Sequence, residues 1–248
     1  MLVNFSLWLE VRRWRQAGRK ARLWWRDDDA ARGSAALDRL LQVSRATAVP
    51  VTLAVVPAGD LTGLGRRIAR TPLVSVSQHG FDQQLRRSGP VSLECPRDLT
   101  QAELEISLRR GWNLIQNLPR AAPVFVPPWN DAHPMLEGAL AACGYAGWSA
   151  NGELAPRAKL PRIDAHIDLL CWAGRARFRG RGRFLSALTA ELRRRRETGQ
   201  WDAPIGLLTH HLDHDDQAWE FLDTFLCWTR RTAELDWVSL PELIREAA

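Results

Sequence analysis

From residue 23 onward, short apolar runs alternate with longer stretches whose apolar residues recur at helical spacing. Leu23 to about Arg26, Val49 to Val56, Leu73 to Ser77, Val124-Phe125-Val126, Ala146 to Ser149, Ile163 to Leu169, Ile205 to Thr209 and Trp237 to Leu240 read as strands. Helices are predicted between them, carrying Leu37, Leu40 and Leu41; Leu61, Leu64 and Ile68; Leu104, Leu108, Trp112 and Ile115; Leu136 and Leu140; Leu185, Leu188 and Leu192; and Trp219, Leu222, Phe225 and Leu226. Their starts are marked by Gly33-Ser34, by Asp60, and by the capping boxes Thr100-x-x-Glu103 and Ser239-x-x-Glu242.

Strand and helix alternating through short connections imply parallel strands and right-handed crossovers. Seven or eight such units fit a closed or nearly closed (β/α)7–8 barrel, with an open doubly wound sheet as the alternative. No Gly-x-Gly-x-x-Gly or Walker-type loop follows the first strand to support the open sheet. Residues 1–22 read as an amphipathic helix packed on the domain, with Leu7, Trp8, Val11 and Trp14 on one stripe, and 23–248 as one α/β domain.

Composition narrows the class. Apolar residues make up 46% of the 248, enough for a sizeable core, and no apolar run approaches the length of a membrane span. The opening stretch lacks the pattern of a secretory signal, so a cytoplasmic location is expected. Cys95, Cys143, Cys171 and Cys227 show no Cys-x-x-Cys spacing, against a structural zinc site or a disulfide framework. The net charge of +6 is carried almost wholly by arginine, which reads as compositional bias rather than as a nucleic-acid footprint. Arg193 to Arg196 reads as a solvated helix end, His133 as a surface residue, and 174–183 as an exposed segment.

The candidate chemistry sits where the strands end. The first ends in Asp27-Asp28-Asp29, the third in His79, the fourth in Pro127-Pro128-Trp129-Asn130; a later one carries His166 and Asp168, and another ends in His210-His211. In a parallel barrel these ends converge on one face, where carboxylates and imidazoles can hold a divalent metal and transfer protons. Alternation along an extended strand would place Asp27 and Asp29 on one side and Asp28 on the other, and would separate His210 from His211.

At these residues the chain resembles the polysaccharide deacetylases, the carbohydrate esterases with a NodB-homology domain. The matching motifs are two of Asp27, Asp28 and Asp29, then His79, Pro127-Pro128-Trp129, Asp168-x-x-x-Trp172 and Leu207-x-x-His210, in family order from Leu23 to His211. The resemblance implies a distorted (β/α)7–8 barrel and metal-dependent removal of an acyl group from an N-acetylated sugar or related amide. It implies catalytic roles for Asp27, Asp28, His210 and Asp168, with a base drawn from the aspartates and His210 as acid. It implies a divalent metal, expected to be zinc, on Asp28, Asp29 and His79. Substrate would be lined by Pro128, Trp129, Trp172, His166 and His211. A carbohydrate or other small acylated partner follows, with no nucleic acid favoured and no oligomeric state indicated.

Two positions depart from that pattern. Gln83 stands where the second histidine of a His-x-x-x-His pair is expected, and Val126 where an arginine usually orients the catalytic carboxylate. An amide oxygen is a weaker zinc donor than imidazole. The alternative function is therefore a catalytically degenerate protein of the same fold that binds a glycan or anionic ligand.

Overall fold

The computed structural model describes residues 4–88, 91–152 and 159–248, and of 87–88 and 91–93 the backbone alone. Its elements in order are α1 (Phe5–Gln16), β1 (Ala21–Ala30), α2 (Ala35–Thr47), β2 (Val51–Val55), α3 (Leu61–Ile68), β3 (Val74–His79), β4 (Arg86–Ser88), β5 (Val91–Leu93), α4 (Gln101–Ile115) and β6 (Ala121–Val126). There follow α5 (Leu136–Ala142), β7 (Gly147–Trp148), β8 (Ala165–Asp168), β9 (Leu170–Cys171), β10 (Arg177–Phe178), α6 (Arg181–Thr198), β11 (Ile205–Thr209), α7 (Asp216–Arg230), β12 (Leu235–Trp237) and α8 (Leu240–Ala247). Residues 153–158 of the expected connection into Ile163, residues 1–3 of the expected first helix and residues 89–90 of the polar stretch after β3 lie outside the described residues.

Seven strands run parallel in the order β7-β6-β3-β2-β1-β11-β8, and β12 pairs with the start of β1. The two ends of this row meet. Trp148 bridges Arg162 and Asn151 bridges Ala165, both in parallel, so the sheet curls round on itself. This is the barrel expected from the alternation, with seven strands in the ring.

Alternation along β1 decides what points inward. Leu23 and Trp25 pack outward among the helices, in a core that includes Leu37, Leu40, Leu53 and Leu222. Trp24 points into the barrel, where it meets Val124, Ala165 and Leu208 and is closed from below by Leu240, Leu243 and Ile244 of α8. Arg26 and Asp28 follow Trp24 on the inner face, one layer at a time toward the C-terminal mouth.

The first helix docks through Leu7, Val11 and Trp14, all buried. Trp14 donates its Nε1–H to the Leu192 carbonyl (3.3 Å) and meets Trp201 edge-on at 4.8 Å. Glu10, fully buried, accepts from Arg196 of α6 at 2.6 Å. Trp8, expected on the same stripe, is 48% exposed.

The structure corrects three readings. Strand β1 continues through all three aspartates to Ala30, because Asp27 and Ala30 still pair with β2, at Leu53 and Val55. Arg195 is buried rather than solvated; it donates to the Ala203 and Pro204 carbonyls and pairs with Glu191, tying α6 to the start of β11. His133 is buried too, with Met135 N–H donating to its Nδ1 (3.1 Å).

Candidate active site

A cleft of about 520 Å³ opens at the C-terminal mouth of the barrel. It is lined by Asp28 and Asp29 from β1, His79 and Gln83 from β3 and the loop after it, Trp129 and Asn130, Asp168 and Trp172, Arg179 and His210, with Asn151 and His166 among the remaining lining residues.

Asp28 is 2% exposed and lies against Arg26, two residues back on the same inner face. Arg26 Nε sits 2.9 Å from Asp28 Oδ1, and Nη2–H donates to Oδ2 at 3.1 Å. The rest of the guanidinium is anchored by Asn130 Oδ1 (2.6 Å), Ser149 Oγ (2.8 Å) and the Ala150 carbonyl (3.0 Å). An unpaired arginine would be costly inside a barrel, and here it is fully buried but held from four sides. Its planar fork fixes the carboxylate plane of Asp28. The guanidinium on this carboxylate thus comes from β1 and not from position 126.

Asp29 breaks the alternation expected of it. Its φ is +66°, a left-handed backbone that costs a non-glycine residue about 1–2 kcal/mol, and this turns its side chain into the same cleft as Asp28. The pairing of β1 with β2 slips between Asp27 and Ala30, where the extra residue is absorbed. Gln83, at φ +56°, is held likewise. Its N–H and that of Phe81 both donate to the buried carboxylate of Glu94, each at 2.6 Å. Gly80 makes that turn feasible, since a Cβ there would fall 2.4 Å from both Glu94 Oε1 and Pro128 Cγ.

His79, Asp29 and Gln83 converge. A carbonyl can only accept, so His79 Nδ1 donates to Val126 O (3.0 Å), and Nε2 faces Asp29 Oδ1 at 3.2 Å. The Gln83 side-chain amide donates to the same oxygen. Two acceptors meeting in this way need a proton or a cation between them. Burial opposes a charge on His79, but Asp28 and Asp29 outweigh it and raise its pKa. Burial also acts to raise Asp29, yet the hydrogen bond and charge of His79 hold it far below the usual carboxylate range.

Among the described residues no three His, Cys, Asp or Glu side chains are grouped to hold a metal ion. The donors that do converge are Asp29, His79 and, with its amide turned over, Gln83 Oε1. Such a set fits a divalent ion held by two strong donors and one weak one.

Across the mouth, Asp168 accepts from Leu170 N–H (2.8 Å) and Trp172 Nε1–H (2.7 Å). Burial raises its pKa against those bonds. Trp172 meets the His210 ring edge-on at 4.6 Å, and His210 Nδ1 is buried without a hydrogen-bond partner among the described residues. Trp129 and Trp172 are about half exposed, 52% and 48%, so both offer apolar ring surface to the cleft.

Four candidate residues turn their polar groups elsewhere. Asp27 points outward, accepting from Thr209 Oγ (2.6 Å), from His211 N–H (3.1 Å) and from the His211 ring. His211 is thereby turned away from His210, as alternation requires, and neither Asp27 nor His211 lines the cleft. His166 contributes to the wall, but its ring faces outward: Nδ1 accepts from Gly206 N–H (3.0 Å) and Nε2 lies 3.2 Å from Arg195. Pro128 is buried behind Trp129, against Gly80. Sequence reading missed the Arg26 clamp, Glu94 and Arg179; an arginine two residues before an aspartate in an apolar strand was the available signal for the first.

No protein-family model matches the sequence, and no curated protein matches it. Solved structures do. A candidate polysaccharide deacetylase from Mycobacterium smegmatis superposes with a TM-score of 0.66 at 15% identity, covering 93% of this chain and 91% of that one. A family 4 acetyl xylan esterase from Clostridium thermocellum in complex with a cobalt ion gives 0.54 at 14%, covering 91% of each chain. A mutant of a pseudoenzyme of carbohydrate esterase family 4, with enzymatic activity restored, gives 0.59 at 15%, covering 91% of this chain and 68% of that one. Taken with the curled parallel sheet and the strand-end residues in its mouth, these likenesses show that the chain has the polysaccharide deacetylase fold, a (β/α)7 barrel of the NodB type.

Proposed function

We propose that this protein is a hydrolase that removes an acyl group from an N-acetylated sugar or related amide. The observation that carries the reading is Asp28, clamped by Arg26, in one cleft with His210 and with the Asp29–His79–Gln83 cluster. Asp28 takes the proton from the attacking water, and the Arg26 fork keeps its free lone pairs aimed at the cleft. His210 delivers a proton to the departing nitrogen. Asp168 orients Trp172, which packs on His210 and, with Trp129, offers a sugar an apolar face. Asp29 and His79, with Gln83 third, would hold a divalent ion, zinc by expectation, which when bound polarises the acyl oxygen and acidifies water. The cobalt ion in the Clostridium esterase is in keeping with this assignment.

A second reading is favoured by Gln83 and by the pseudoenzyme among the structural likenesses: a binding protein with a weakened metal site. Acetate release from N-acetylglucosamine oligosaccharides, measured with zinc or cobalt added and with chelator, separates the two. Metal-dependent release that falls by about 10²-fold or more in Asp28→Asn is expected of the hydrolase. Sugar binding with no release under any metal condition would sink it and leave the binding protein.

A further inference from the structure

The cleft holds one cation that the proposed chemistry does not use. Arg179 lines it, half-buried, and its guanidinium has no hydrogen-bond or ion-pair partner among the described residues. The backbone of Arg179 is fixed, its N–H donating to the Leu169 carbonyl at 3.0 Å just after the β9–β10 pair. Water can satisfy a half-buried guanidinium, and an anion brought by a ligand would replace that water with charge-assisted bonds.

Two charge pairs of the cleft are in direct contact. Arg26 answers Asp28, and His79 answers Asp29. Asp168 stands near enough to Arg179 to feel its charge, yet both its oxygens are committed, to Leu170 N–H and Trp172 Nε1–H. Arg179 is therefore a guanidinium without a directly bonded anion among the described residues, on a wall shared with Trp172 and Asn151.

We propose that Arg179 binds an anionic substituent, a carboxylate or phosphate, on the acylated sugar. The planar fork of arginine suits both groups, and the stacking surface of Trp172 would hold the ring that bears them. This rests on the sugar-hydrolase reading of the same cleft and names its substrate class.

The test is titration of the whole chain, by calorimetry or NMR at low salt, with three probes: N-acetylglucosamine, its 6-phosphate, and N-acetylmuramic acid, whose lactyl ether carries a carboxylate. At least one anionic probe is expected to bind about tenfold tighter than the neutral sugar, and which one does so identifies the anion. That advantage should shrink with added salt. Arg179→Gln should bring the anionic probes down to the affinity of the neutral sugar, whereas Arg179→Lys should keep part of the gain. Equal binding of neutral and anionic probes, or a preference that survives Arg179→Gln, overturns the proposal alone. No binding of any probe overturns the sugar reading and the proposal with it. An anion preference without acetate release would sink catalysis and leave the anion site standing.

Discussion

Single residues decide whether this cleft can do chemistry. Gln83 is the weakest of the three converging donors, and Glu94 already holds its backbone beside them. Gln83→His is expected to raise zinc affinity by at least about tenfold, read by competition against a chromophoric chelator; unchanged affinity would mean that the loop and not the donor is at fault. His214 offers a separate test away from the cleft. Both its ring nitrogens are buried without partners among the described residues, and burial pushes its pKa from 6.5 down to about 4. Below pH 6.5 the unfolded chain takes up a proton that the folded chain refuses, so stability falls as pH drops through that window. His211 works the other way: burial opposes its charge but Asp27 raises its pKa, so the stability from that pair is present at low pH and lost as pH rises through the raised value. His214→Phe should recover roughly 2 kcal/mol at pH 4 relative to pH 7, measured by urea unfolding at each pH. A variant whose pH dependence matches the parent would show that His214 does not carry the acid sensitivity.

At the scale of elements, the helices hold their positions through a few large side chains. Helix α1 reaches α6 by Trp14, 1% exposed, and by Glu10 between Arg13 and Arg196. Trp14→Ala should cost about 3–5 kcal/mol, seen as a lower denaturation midpoint. A loss under about 1 kcal/mol would mean that α1 contributes little to the domain. The periodicity of this helix was legible in the sequence, and so were the caps of α2, α3, α4 and α8, because capping is a matter of a few neighbouring residues. Which side of the helix meets the domain is less so: Trp8 shares the apolar stripe yet is half exposed. The burial of Arg195 was also unreadable, since its partners, the carbonyls of Ala203 and Pro204, are brought round by the turn into β11.

For the molecule as a whole, ligand linkage gives the most direct check. A site that binds zinc only when folded should stabilise the chain by about 2.7 kcal/mol at 100 times its dissociation constant. That corresponds to a melting rise of roughly 5–10 °C at this size, which should vanish in His79→Ala. An equal rise in the variant would place the ion elsewhere. No helix among the described residues is long and apolar enough to cross a membrane, in line with the absence of a long apolar run in the sequence. A ring of seven or eight strands follows from alternation read along the chain, but the number seven and its closure do not. Trp148 and Arg162, and Asn151 and Ala165, meet only because every other strand has already curled. Local pattern determined the elements, their parallel sense and the strand ends at which the chemistry gathers, because hydrophobic period and connection length act between near neighbours. Tertiary structure alone decided which aspartates face the cleft. The left-handed turn at Asp29 brings it beside Asp28 and leaves Asp27 outside, and the arginine at Asp28 comes from β1 itself, its fork secured by Asn130, Ser149 and Ala150 from distant segments.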